Sequence, residues 1–69
     1  MANEVKYPQI TVQLVGQDGN VFNLIGIIRR AMRREGLDAK AVSDFTEEVM
    51  NQKSYTDALG VMMRTVNVE

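Results

Sequence analysis

The chain has 69 residues with no cysteine and no histidine, so it is one small domain that can form neither a disulfide nor a zinc site of the usual thiolate or imidazole kind. Hydrophobic residues make up 45% and charged residues 25%, which argues against disorder, and a formal net charge of -1 gives no overall pull toward nucleic acid or an anionic membrane. A domain this short buries only about 60% of the surface its unfolded chain exposes, so its core is thin and a second copy is the remaining means of reinforcing it.

In chain order, Met1-Ala2-Asn3-Glu4-Val5-Lys6 lacks the apolar stretch of a signal peptide. No run reaches the ~18 apolar residues that cross a bilayer. A soluble, cytoplasmic protein with no membrane partner is therefore expected. Residues 1–8 are expected to be a flexible N-terminus, ending at Pro8 just ahead of a strand. In Ile10-Thr11-Val12-Gln13-Leu14-Val15 apolar and polar side chains alternate, the pattern of a half-buried strand. Gly16-Gln17-Asp18-Gly19-Asn20 then breaks it.

Val21 to Glu35 can be read two ways. Asp18-Gly19 is a hairpin dipeptide that would make Val21–Ile25 a returning strand. Val21, Leu24, Ile25, Ile28 and Met32 instead repeat at helical spacing, Asn20 can cap a helix there, and Gly36 fits its left-handed end. Helix is the better reading. A second helix is expected over Ala39–Gln52, with Asp38 as N-cap and Val42, Phe45 and Val49 inward. A third starts at Ser54, with Tyr55, Ala58, Leu59, Met62, Met63 and Val66 as its apolar stripe. Met50 and Val61 fall off these stripes and would mark a contact surface if exposed. Thr65–Glu69 alternates and can form a short closing strand on residues 10–15. The expected architecture is α+β, a single domain spanning 1–69: an N-terminal strand, three helices and a short C-terminal strand pairing with the first. A free edge on the first strand, with the thin core, points to a homo-oligomer.

Catalysis is not expected. The commonest general base and the best nucleophile are missing. Glu47 and Glu48 diverge by about 100° on a helix, and Asp44 with Glu48 gives two ligands, fewer than calcium needs. No metal or cofactor is expected. Two features could bind a partner or ligand. Gly16–Asn20, with Gly16, Gly19 and Asn20, lies between strand and helix, where backbone N–H groups can hold an anion, although a plain strand-to-helix turn is the better reading. Arg29, Arg30, Arg33 and Arg34 fall in one arc of the first helix, sharing it with Asn23 and Gly26, where a close approach would be possible. Arginine suits bidentate phosphate or carboxylate contacts. A solvated arc, or one paired internally with Glu47 and Glu48, is the better reading of these four residues taken alone. No aromatic residue interleaves with it for base stacking, so nucleic acid is the weaker reading.

The run from Val12 to Gly26, Arg30-Ala31-Met32-Arg33, Gly36, Tyr55–Leu59 and Met63–Glu69 together resemble a group of short proteins of phages, prophages and other mobile elements. The most specific part is the Gly-x-Asp-Gly-Asn-x-Phe core at Gly16–Phe22. The resemblance carries over no catalytic or binding residue. It implies a context, since small phage accessory proteins commonly bind and block a host component. The expected function is thus a non-catalytic interaction protein that self-associates and modulates or inhibits a host macromolecule, with a host protein as partner. The alternative is sequestration of a nucleotide or other anionic phosphate ligand by the four-arginine face together with the Gly16–Asn20 loop.

Overall fold

The structure is a computed structural model that describes residues 5–69. Its elements run β1 (Tyr7–Val12), α1 (Val21–Arg34), α2 (Ala39–Met50), α3 (Tyr55–Thr65) and β2 (Val66–Val68). This is the α+β order expected. The closing strand lies parallel to β1, with Thr11 opposite Asn67 and Val12 opposite Val68. Parallel strands need a long crossover, and here the three helices are that crossover. Glu69 continues the pairing: its N–H donates to the Val12 carbonyl at 2.9 Å, and its carbonyl accepts from the Leu14 N–H at 2.7 Å. Among the described residues each strand has a single neighbour.

β1 begins three residues earlier than the alternation indicates, and Pro8 lies inside it rather than ahead of it. Of the N-terminal segment expected to be flexible, residues 1–4 lie outside the described residues, whereas Tyr7 and Pro8 belong to the strand. Proline has no N–H to give to a ladder, and the register breaks where it stands: Tyr7 faces Val66, yet the next pair is Thr11 with Asn67. The Asn67 side chain bridges the irregularity by donating its Nδ2 to the Pro8 carbonyl at 2.6 Å.

Each helix starts where a capping side chain satisfies a first-turn N–H. Asn20 Oδ1 accepts from the Phe22 N–H at 2.8 Å, Asp38 Oδ1 from the Ala41 N–H at 2.9 Å, and Ser54 Oγ from the Asp57 N–H at 3.0 Å. α1 ends in a Schellman turn. Gly36 has φ +88, its N–H donates to the Arg33 carbonyl, and the Leu37 N–H reaches back to Met32. α2 stops at Met50, two residues short of the expected Gln52, whose side chain donates to the Glu48 carbonyl instead. α3 passes straight into β2 with no loop between them.

The core lies between the sheet and the helices. Ile10 and Val12 cover it from β1, Leu24, Ile25, Ile28 and Met32 from α1, and Val42, Phe45 and Val49 from α2. α3 differs from expectation. Its buried residues are Ala58, Val61, Met62 and Thr65, while Tyr55 and Met63 face outward and Leu59 is half-buried. Both sets have helical spacing, because α3 is apolar over a wide arc. Packing on α2 and β2 selects the set that contains Val61, which is 1% exposed and so marks no contact surface. Among the described residues the single buried polar side chain, Thr65, donates its hydroxyl to the Val61 carbonyl at 2.7 Å and so carries no unmet hydrogen bond. Among the described residues no helix is long and apolar enough to cross a membrane.

Candidate binding surfaces

The Gly16–Asn20 loop is closed on its own side chains. Gly16 takes φ +86, a conformation that favours glycine, and the turn is closed by the Gln17 N–H donating to the Leu14 carbonyl. Asp18 Oδ1 accepts from the Asn20 N–H at 3.1 Å, an Asx turn. Asn20 in turn caps α1, and Asn23 Nδ2 donates to the Asp18 carbonyl at 2.9 Å. From α3, the Tyr55 hydroxyl donates to the Gly19 carbonyl. The N–H groups of Asn20 and Phe22, which an anion would need, are therefore already used. Asn20 and Asn23, expected at a binding site, hold the loop and start the helix.

The arginines lie at the other end of α1. At about 1.5 Å rise per residue, Arg29 to Arg34 sit about 14–21 Å along the axis from Asn20. Within one chain, loop and arginines do not converge on one ligand. Arg29 is half-buried, while Arg30, Arg33 and Arg34 are exposed. Arg29 and Arg33 form one wall of a groove of about 390 Å³ between α1 and α2, with Ser43, Thr46 and Glu47 on the other. A second, shallower hollow of about 240 Å³ is lined by Gly26, Arg29, Arg30 and Arg33. Gly26 is not required by crowding: a Cβ there would meet the Arg30 guanidinium at 3.6 Å, an ordinary contact.

The internal pairing of the arginines with Glu47 and Glu48, one alternative to a solvated arc, does not form among the described residues. Among the described residues the ion pair is Lys40 with Asp44, 3.0 Å apart and one turn apart on α2. The hydrogen bond that Lys40 Nζ donates to Asp44 Oδ2, then the charge of Asp44, raises the Lys40 pKa. Asp44 is thus engaged with a cation of its own chain, and no cluster of three potential metal ligands occurs among the described residues.

A surface the sequence reading largely missed lies across α3. Val15, Phe22, Met63, Met50 and Tyr55 are 73%, 64%, 59%, 53% and 48% exposed. Of these, only Met50 stood out in the sequence. One groove, of about 260 Å³, is lined by Leu14, Val15, Leu59, Met63 and Tyr55 among others; a second, of about 300 Å³, by Phe22, Met50, Val49, Ala58 and Tyr55 among others. Tyr55 belongs to both, so all five exposed side chains share one apolar face, where Lys53 is the one charged lining residue. The signal for Phe22 was available, since it is one position off the Val21–Leu24–Ile25–Ile28 stripe. Tyr55 and Met63 carried no such signal, because they fit a stripe. Comparison with protein-family models, with curated proteins and with solved structures finds no match for this chain.

Proposed function

We propose that this chain is a non-catalytic interaction protein of the phage-accessory kind, which assembles with further copies of itself through the Tyr55 face and in that form binds and modulates a host macromolecule. One observation carries the reading: the five large exposed apolar side chains gather on adjoining grooves rather than scattering over the surface. Scattered exposed apolar residues need no explanation, whereas a contiguous set marks a contact surface. A second copy fits it best. The face is almost uncharged, so two copies meet without like-charge repulsion, and a thin core gains most from being covered. Lack of histidine and cysteine in the sequence supports a binding role over a catalytic one.

Sedimentation equilibrium over a hundredfold range of concentration tests the assembly. The native chain is expected to form a discrete oligomer, and Met63→Asp to sediment as a monomer with an unchanged circular dichroism spectrum. A native chain that stays monomeric throughout would overturn the reading. The host-binding step is then read by capture from host extract with native and Met63→Asp chains side by side.

A further inference from the structure

The arginine groove asks for a different occupant. On an isolated helix, like charges at i,i+4 repel, and α1 has two such pairs, Arg29 with Arg33 and Arg30 with Arg34. A favourable interaction with the helix C-terminus accounts for Arg33 and Arg34, which are in the last turn, but not for Arg29 and Arg30 a turn earlier. None of the four is paired with a carboxylate within 4.0 Å among the described residues, although Glu47 lines the same groove as Arg29 and Arg33. Arg29 is also half-buried and lines the groove together with Arg33.

We propose that the groove between α1 and α2 is a binding site for a small phosphorylated compound, whose phosphate groups are held by Arg29 and Arg33 and whose remaining part donates a hydrogen bond to Glu47. Paired guanidinia one helical turn apart match the oxygens of one or two phosphates bidentately. Glu47 would repel a bare anion, and it becomes an asset only for a ligand that also has hydroxyl or amino donors. The groove suits a small molecule better than a polyanion. The positive surface spans two turns, and Glu35 and Asp38 follow it at the end of α1, so a long phosphate backbone would soon meet carboxylates. The Gly16–Asn20 loop has no part in the site. The proposal stands independently of self-association through the Tyr55 face.

Isothermal titration with adenosine diphosphate and with inorganic pyrophosphate, at fixed ionic strength, tests it. Adenosine diphosphate is expected to bind saturably and more tightly than pyrophosphate. Arg29→Gln and the exposed-site variant Arg33→Gln should each weaken it at least tenfold, and Arg64→Gln on α3 less than twofold. Glu47→Gln should bring the two probes to similar affinity. Lack of saturable adenosine diphosphate binding would overturn the site, as would equal weakening by Arg64→Gln, which signals diffuse charge attraction. Tighter binding of a short DNA duplex than of adenosine diphosphate, again lost in Arg33→Gln, would overturn the small-molecule assignment in favour of nucleic acid.

Discussion

The arginine end of α1 and the Tyr55 face of α3 both expose groups at a cost, and the costs have opposite origins. On α1 the cost is repulsion among four like charges, which an anion relieves and salt screens. On the Tyr55 face it is apolar surface left in water, which another apolar surface relieves and salt hardly touches. Two surfaces on one 69-residue chain can therefore serve different partners without competing, because neither occupant satisfies the other site.

The sharpest way to break this comparison uses two neighbours on α3. Val61 is buried at 1% and Met63 is 59% exposed, although they stand two residues apart. A charge at Val61 has no partner in the core, and burying it costs several kcal/mol, a large share of what holds a small domain together. Val61→Asp is expected to unfold the chain, seen as lost helical circular dichroism, whereas Met63→Asp keeps the fold and loses assembly. Unfolding by both would mean that the Tyr55 face is core. Salt separates the two surfaces next. Raising sodium chloride from about 50 to 500 mM should weaken adenosine diphosphate binding several-fold and leave the association constant of the oligomer unchanged or higher. Parallel loss of both would mean that charge holds the oligomer together.

Smaller effects test the scaffold that sets the two faces apart. Asn20→Ala should lower stability by about 1 kcal/mol through loss of the cap. Gly36→Ala should cost about 1 kcal/mol through its left-handed backbone. Gly26→Ala should act oppositely, stabilising α1 by up to about 1 kcal/mol, because a Cβ there meets no crowding. Chemical denaturation measures all three. Smallest is the Lys40–Asp44 pair. Its raised Lys40 pKa means that the stabilisation is fully present below the unfolded value of 10.5 and is lost as pH rises through the folded value. Both partners are well exposed, so Lys40→Ala should leave the melting temperature near neutral pH almost unchanged.

Local signals in the sequence suffice where one side chain decides the outcome. Asn20, Asp38 and Ser54 each cap the helix they precede, and Gly36 closes α1. What local chemistry leaves open is settled by packing. α3 offers two apolar stripes of equal periodicity, and its packing against α1, α2 and β2 decides between Val61 and Met63. The start of β1 is hidden by Pro8, since a proline within a strand is tolerated at an edge or where the register breaks, as it does here, with Asn67 Nδ2 donating to the Pro8 carbonyl. The candidate site divided in the same way. The four arginines share an end of α1 as their spacing indicates, but Gly16, Gly19 and Asn20 lie beyond its other end, and Gly19, Asn20 and Asn23 are used in the loop's own hydrogen bonds.

The cysteine-free sequence gives a direct test of which face meets a second copy. Single variants Met63→Cys and Arg30→Cys, each oxidised under identical conditions at a concentration where the native chain is assembled, report whether that position approaches itself across the contact. The account predicts rapid disulfide-linked dimers for Met63→Cys and only slow, concentration-dependent ones for Arg30→Cys. Efficient cross-linking through Arg30→Cys with none through Met63→Cys would contradict it.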